Sequence, residues 1–79
     1  MNKIKITVYG TSTCPYCRMT REYLKEKKVA FTDINVGEDK AKAQEMIDKS
    51  GQMGVPVIDI GGKIIVGFDK AALDRELKL

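Results

Sequence analysis

Cys14-Pro15-Tyr16-Cys17 holds both cysteines of the 79-residue sequence and stands where a strand is expected to pass into a helix. Proline is best tolerated at the first position of a helix, where its missing N–H would have had no partner, so Cys14 is expected to be the N-cap. An N-cap side chain faces the free amides of the first turn and the positive end of the helix dipole. Both effects favour a thiolate at Cys14.

The same stretch predicts different roles for the two thiols. A cysteine titrates at about 8.5, and a helix N-terminus can lower that to about 3.5–7.5, so Cys14 is the expected nucleophile. Cys17 lies one turn further along the helix and is expected to resolve a mixed disulfide on Cys14. Arg18, with Arg21, adds positive charge on the same helix and is expected to stabilise the Cys14 thiolate.

A Cys-x-x-Cys pair also allows a metal site or an inert pair. A closed structural zinc site needs four Cys or His ligands, and this chain has two cysteines and no histidine, so a metal would need a second subunit or an external thiol. Permanent disulfides are rare in the cytoplasm, which favours catalytic redox chemistry with no bound metal.

Composition and charge are those of an ordinary folded domain, with 43% hydrophobic and 32% charged residues. The net charge of +3 is modest, and the lysines alternate with acids without aromatic partners, so nucleic-acid binding is not expected. The N-terminus alternates polar and apolar residues, which is typical of neither a signal peptide nor a membrane span. We therefore expect residues 1–79 to form one cytoplasmic, monomeric domain without membrane contact.

Runs of β-branched and alternating apolar residues predict four strands. Residues 3–9 and 29–36 are expected to form β1 and β2, and residues 55–60 and 63–68 are expected to form β3 and β4. Gly61-Gly62 can supply the positive φ angles of a tight turn, so β3 and β4 should pair as an antiparallel hairpin.

Three helices are expected between and after the strands. α1 covers residues 15–28, α2 runs from Glu38-Asp39 to the stop signal Ser50-Gly51, and α3 follows the N-cap Asp69. The order β1-α1-β2-α2-β3-β4-α3 predicts an α/β fold, a mixed four-stranded sheet flanked by helices in which β1 and β2 are parallel. The apolar stripe expected on α1 is Tyr16, Met19, Tyr23 and Leu24; the side chains expected in the core also include Tyr9 and Met46.

The chain resembles the glutaredoxins of the thioredoxin superfamily. Cys14-Pro15-Tyr16-Cys17 is identical to the motif of the dithiol glutaredoxins, and Val55-Pro56 matches the valine and cis-proline that face the active-site cysteine. Gly67 with Asp69 falls where the glycine and aspartate loop of the family lies. The resemblance implies a thioredoxin-like fold over almost the whole chain.

The resemblance also implies site residues and an activity. Positions implied to bind substrate or glutathione are Pro15, Tyr16, Val55, Pro56, Gly67, Phe68 and Asp69. The implied activity is reduction of protein disulfides or glutathione mixed disulfides by the Cys14/Cys17 dithiol, with glutathione as co-substrate and no bound cofactor. Implied partners are glutathione or thioredoxin reductase, and disulfide-containing or glutathionylated proteins.

Three departures from the family pattern touch the glutathione groove. The family usually has a basic residue where this chain has Thr11, a threonine where it has Gly54, and a Gly-Gly pair where it has Val66-Gly67, followed here by Phe68. These departures resemble the short redoxins that work with thioredoxin reductase, for example as donors to ribonucleotide reductase. An iron–sulfur cluster bridged between subunits is less favoured, because cluster-carrying glutaredoxins usually lack the Pro-Tyr pair.

Overall fold

A computed structural model describes residues 5–77 of the chain. The elements, in the predicted order, are β1 (Ile6–Gly10), α1 (Pro15–Glu26), β2 (Thr32–Asn35), α2 (Lys40–Ser50), β3 (Val57–Ile60), β4 (Lys63–Val66) and α3 (Lys70–Leu77). The sheet has the order β2-β1-β3-β4, with β1 parallel to β2 and antiparallel to β3, and β3 antiparallel to β4. The predicted fold class is confirmed. No helix within residues 5–77 is long and apolar enough to cross a membrane.

Several elements differ from their predicted bounds for local reasons. β1 continues to Gly10, and the predicted residues 3–4 lie outside the described residues. β3 begins at Val57 because Pro56 has no N–H to give to a strand ladder. β4 ends at Val66 because Gly67 adopts a φ of +79° and turns the chain towards α3. β2 is shortened most, from the predicted residues 29–36 to Thr32–Asn35. It is an edge strand that pairs only with β1.

The two faces of the sheet carry two separate groups of buried side chains. Along β1, Ile6 and Val8 face α1 and α3, where they join a cluster with Leu24, Ile58 and Leu73. The opposite face is covered by α2 and has a smaller cluster of Tyr9, Met46 and Val57. The sheet is therefore the middle layer, and the predicted burial of Tyr9 and Met46 is confirmed.

The inward face of α1 differs from the predicted stripe. Its buried side chains are Cys17, Thr20, Tyr23 and Leu24. Met19 is exposed, so its predicted place in the core is wrong, and Tyr16, the first residue of the predicted stripe, is exposed as well. The face that packs inward carries the small side chains of Cys17 and Thr20, which allow the helix to approach the strand closely, and this turns the larger Tyr16 and Met19 outward.

Tyr23 connects α1 to α3. Its hydroxyl donates a hydrogen bond to the Asp74 carboxylate, and Phe68 packs edge-on against its ring, with the ring centroids 5.8 Å apart. The ammonium groups of Lys27 and Lys70 lie 5.5 and 5.6 Å from the centre of the same ring. This cluster holds the segment before α3 against the helix that carries both cysteines.

The Tyr23–Asp74 hydrogen bond gives a testable stability difference between two tyrosines of one helix. Tyr23→Phe is expected to lower the free energy of unfolding by about 1–2 kcal/mol, because the bond is made to a charged acceptor. Tyr16→Phe is the control, since the Tyr16 hydroxyl makes no hydrogen bond within residues 5–77, and should leave stability unchanged. Urea unfolding of the reduced proteins measures both, and equal midpoints for the two variants would contradict this account.

Candidate active site

Cys14 lies in the loop between β1 and α1 and caps the helix, as predicted. Its sulfur accepts a hydrogen bond from the backbone N–H of Cys17 at 3.3 Å, and its own backbone is extended, with φ −85° and ψ 118°. Pro15 begins the helix directly after it. The loop thus presents the Cys14 sulfur to the free amides of the first turn.

The pKa of the Cys14 thiol is lowered from its ordinary value. Burial acts in the raising direction, but it is outweighed by hydrogen bonds to the sulfur from the Cys17 thiol and from the backbone amides of Cys17 and Tyr16, together with the charge of Arg21. Cys14 is also partly exposed. It is therefore both the more acidic and the more accessible of the two thiols.

Cys17 has the opposite properties. Its residue is 0% exposed, and burial, followed by the hydrogen bond that its thiol gives to Cys14, raises the pKa of Cys17 to about 11. The backbone N–H of Thr11 and the charge of Arg21 act in the lowering direction. Both cysteines are free, so the structure shows the reduced dithiol.

This difference in acidity predicts selective alkylation. Iodoacetamide at about pH 7 should modify Cys14 and leave Cys17 untouched, because only the thiolate reacts. The Cys14 rate should fall as the pH drops through its lowered pKa, whereas Cys17 should react only as the pH approaches its pKa of about 11. Peptide mass spectrometry after a short exposure identifies the modified residue. Equal labelling of both cysteines at neutral pH would contradict the assignment.

Gly10, the last residue of β1, lies directly behind Cys17. A Cβ atom at this position would be 2.8 Å from the Cys17 sulfur and 3.0 Å from the Cys17 Cβ atom. Both distances are shorter than ordinary non-bonded contacts, so only glycine fits here without displacing the helix. The predicted β1 ended at residue 9, and the sequence analysis gave Gly10 no role. The available signal was a glycine at the end of a strand, where a close backbone approach is common.

Substitution at Gly10 should therefore disturb the buried thiol. Gly10→Ala is expected to cost about 1–3 kcal/mol of stability through overpacking and to increase the reactivity of Cys17. Gly54→Ala is a matched control, because its Cβ would lie 2.9 Å from Oε1 of Gln52, the movable end of a flexible side chain. Urea unfolding and alkylation kinetics measure both effects. Unchanged stability and Cys17 reactivity in Gly10→Ala would show that the contact is unimportant.

The structure places the predicted Val55-Pro56 segment beside Cys14. The Val55–Pro56 peptide bond is cis, as predicted, and the Val55 carbonyl oxygen is 3.9 Å from the Cys14 sulfur. The N–H of Gly67 donates a hydrogen bond to the Pro56 carbonyl at 2.8 Å, which joins the end of β4 to this segment. Backbone atoms from three parts of the chain therefore surround or support the accessible sulfur.

Two large apolar side chains that are close to Cys14 and Val55 in the sequence face solvent. Tyr16, two residues after Cys14, is 60% exposed, and Met53, two residues before Val55, is 77% exposed. Exposed aromatic and methionine side chains are enriched at protein interfaces relative to the rest of a protein surface. Tyr16 was predicted beside the substrate groove, whereas Met53 was not singled out from the sequence.

Phe68 and Asp69 are placed differently from each other. The ring of Phe68 turns inward against Tyr23, so its side chain lies outside the predicted groove and only its backbone is near Gly67. Asp69 caps α3 as predicted, since its Oδ1 atom accepts the Ala72 N–H at 3.1 Å. Binding of a ligand by this loop remains a prediction.

The predicted role of Arg18 in stabilising the Cys14 thiolate stays a prediction. Arg18 is exposed, and its Nε atom lies 3.3 Å from the Glu22 carboxylate. The arginine whose charge lowers the pKa of Cys14 is Arg21.

Arg21 is oriented towards the sheet. Its Nη2 atom donates to the Thr11 carbonyl at 3.3 Å, and its Nη1 atom lies 3.5 Å from the Asp33 carboxylate on β2. Residues four apart share a helix face, so the spacing of Arg21 from the buried Cys17 was the signal that distinguishes it from Arg18.

Within residues 5–77, no group of three or more His, Cys, Asp or Glu side chains is placed to hold a metal ion. A metal or cluster bound by Cys14 and Cys17 would therefore need ligands from outside this part of the chain.

Comparison with known proteins identifies the family. A model of the glutaredoxin family matches residues 6–65. This chain belongs to the glutaredoxin family. The glutaredoxin Grx-1 of Archaeoglobus fulgidus has the same fold, with a TM-score of 0.87 and 30% identity over 99% of this chain and 90% of that one. The recognition made from the sequence is confirmed.

Three relatives of the chain are bacterial glutaredoxins or glutaredoxin-like proteins. An uncharacterised glutaredoxin-like 8.6 kDa protein from the rubredoxin operon of Clostridium pasteurianum is 53% identical over 89% of this chain and 93% of its own length. Glutaredoxin 3 of Escherichia coli K12 is 38% identical over 81% and 77%. The glutaredoxin-like protein NrdH of Lactococcus lactis is 31% identical over 89% and 96%. The chain is accordingly a thiol-disulfide oxidoreductase of the glutaredoxin and NrdH-like type, with a Cys14/Cys17 dithiol.

Proposed function

We propose that this protein reduces disulfides of other proteins, and that a protein reductase of the thioredoxin reductase type regenerates its dithiol in preference to glutathione. The observation that carries this proposal is the surface around Cys14. The Cys14 sulfur is partly exposed and lies 3.9 Å from the Val55 carbonyl oxygen, and Tyr16 and Met53, two residues from Cys14 and Val55 in the sequence, expose large apolar side chains.

The reaction uses the two thiols in sequence. The Cys14 thiolate attacks one sulfur of the substrate disulfide, and the other substrate sulfur leaves as a thiolate that takes up a proton. Cys17 then attacks the Cys14 sulfur of the mixed disulfide and releases the second substrate thiol. The substrate gains two electrons, and Cys14 and Cys17 become a disulfide that the reductase must reduce.

The backbone near Cys14 suits an extended polypeptide. Val55 precedes β3, so its N–H and C=O lie outside the strand ladder and can pair with a strand-like segment of a partner. Tyr16 and Met53 then provide apolar contacts on either side. A protein partner gains from both features, because its backbone and its side chains extend beyond the reacting disulfide.

Glutathione finds less charge complementarity at this surface. It carries two carboxylates, and Thr11, which stands where the family usually has a basic residue, bears no positive charge. Arg21, whose charge acts on both thiols, already binds the Thr11 carbonyl and Asp33. The similarity to NrdH of Lactococcus lactis also supports the reductase-dependent alternative.

A glutathione-dependent reaction is the second candidate, and one feature favours it. The loop of residues 67–69 is hydrogen-bonded to Pro56 through Gly67. The first backbone N–H groups of α3, which follows this loop, can donate hydrogen bonds to a carboxylate. Glutaredoxins as a family use glutathione as a co-substrate, and glutaredoxin 3 of Escherichia coli is among the relatives of this chain.

A direct comparison of reductants separates the two candidates. The oxidised protein is mixed either with NADPH and thioredoxin reductase or with glutathione, NADPH and glutathione reductase, and the rate of dithiol formation is measured in each case. We expect the thioredoxin reductase system to reduce it faster at physiological reductant concentrations. Efficient reduction by glutathione alone would overturn this preference and establish the second candidate.

Variants of the two cysteines test the proposed roles. Cys14→Ser should reduce every disulfide-exchange activity to the uncatalysed background, because the buried Cys17 cannot replace the accessible nucleophile. Cys17→Ser should lose reduction of protein disulfides but keep removal of single glutathione groups, which needs only Cys14 and an external thiol. Insulin reduction and deglutathionylation of a small mixed disulfide are suitable assays. An active Cys14→Ser protein would contradict the mechanism.

A further inference from the structure

We propose that Arg21 is a positioning residue for the resolving step: it holds the Thr11 backbone against Cys17 and places a positive charge beside the sulfur that must attack the mixed disulfide. This inference rests on the proposed function, in which Cys17 performs that attack.

The position of the guanidinium group is the first support. The Arg21 side chain is only 19% exposed, although it belongs to a surface helix. Its Nη1 atom lies 3.5 Å from the point where a Cβ of Gly10 would be, and the Cys17 sulfur lies 2.8 Å from the same point. The cation and the sulfur are therefore close neighbours on the same side of β1, well within the screening distance of about 8–10 Å in physiological salt.

The Thr11 backbone is the second support. Its carbonyl accepts a hydrogen bond from Arg21 at 3.3 Å, and its backbone N–H is one of the groups that act to lower the pKa of Cys17. One residue of the loop is thus held by the arginine on one side and supports the buried thiol on the other. Movement of Arg21 would release both the charge and the hydrogen-bond donor.

The third support is what changes when the mixed disulfide forms. In the dithiol, the Cys17 thiol donates to Cys14, and the negative charge of Cys14 opposes ionisation of Cys17. Once the Cys14 sulfur is bonded to substrate, it carries no charge. The groups left to favour the Cys17 thiolate are the Thr11 N–H and Arg21, against the cost of burial.

The resolving step exchanges one disulfide bond for another and releases the substrate. Cys17 gives its proton to water and forms a bond to the Cys14 sulfur, while the bond between Cys14 and the substrate sulfur breaks. The substrate leaves as a thiolate and takes up a proton. The charged or titratable groups that act on the Cys17 sulfur are Cys14 and Arg21, and Asp33 on β2 is the counter-ion that limits the effect of Arg21.

A small aromatic disulfide separates the two steps in one experiment. The reduced full-length protein is mixed with one equivalent of 5,5′-dithiobis(2-nitrobenzoate), and the coloured thiolate is followed by stopped flow. The first equivalent is released when Cys14 attacks, and the second when Cys17 resolves the mixed disulfide. The rate of the second phase is recorded as a function of pH for the wild type, Arg21→Gln and the matched control Arg18→Gln.

The expected result is specific to the second phase. Arg21→Gln should slow it by about tenfold below its pH midpoint and move that midpoint up by about one unit, since one unit is a tenfold change in thiolate fraction. Arg18→Gln, whose side chain is exposed and paired with Glu22, should leave the second phase unchanged. Arg21→Lys, which keeps the positive charge, should have a second-phase pH midpoint close to that of the wild type.

Other outcomes overturn the inference. An unchanged pH midpoint in Arg21→Gln, or equal effects of the Arg21 and Arg18 variants, would leave Arg21 with a structural role only. If Arg21→Gln does not fold, Asp33→Asn decides: loss of the counter-ion should move the midpoint down, and an unmoved or raised midpoint rejects the inference. A wild-type protein that releases only one equivalent would instead contradict the proposed function, because Cys17 would not resolve.

Discussion

The contact between Cys17 and Gly10 sets the position of the helix on which the site depends. Because position 10 has no side chain, α1 approaches β1 until the Cys17 sulfur lies 2.8 Å from where a Cβ would be. This approach buries Cys17 completely, and Cys14 stays partly exposed beyond the end of β1. There its sulfur accepts the Cys17 amide at 3.3 Å and lies 3.9 Å from the Val55 carbonyl. The nucleophile, its partner thiol and the adjoining backbone surface thus depend on one close approach of a helix to a strand.

The pKa values and the exposure of the two thiols in the free dithiol set the order of the two chemical steps. Burial is the largest effect on Cys17, whose pKa rises to about 11, whereas at Cys14 the hydrogen bonds and the charge of Arg21 outweigh burial and hold the pKa below its ordinary value. The thiol that substrate can reach is therefore the one that ionises first. The second thiol stays protonated and shielded until the first sulfur has lost its charge to a covalent bond, which protects the pair from reacting in the wrong order.

The parts of this structure that could be predicted from the sequence are those fixed by local chemistry. Pro15 after Cys14 identified a helix start, Gly61-Gly62 identified a hairpin, and both lie where expected. The rotation of α1 about its axis could not be predicted in the same way, because it depends on contacts with a strand distant in space. That rotation decides why Met19 is exposed and why Arg21, not Arg18, faces the thiols. The inward turn of Phe68 is non-local for the same reason, since its partner Tyr23 lies on another element.

The orientation of Phe68 bears on how its departure from the family pattern affects the groove. A bulky residue in the loop before α3 suggests a blocked groove, but its ring packs on Tyr23 and leaves only backbone near Gly67. In the proposed function, charge distinguishes this groove. An anionic tripeptide must leave water for a surface where Arg21 is already paired with Asp33, whereas an extended neutral segment brings no charge to desolvate. Thr11, which has no charge where the family usually has a basic residue, therefore favours a protein partner over glutathione in this proposal.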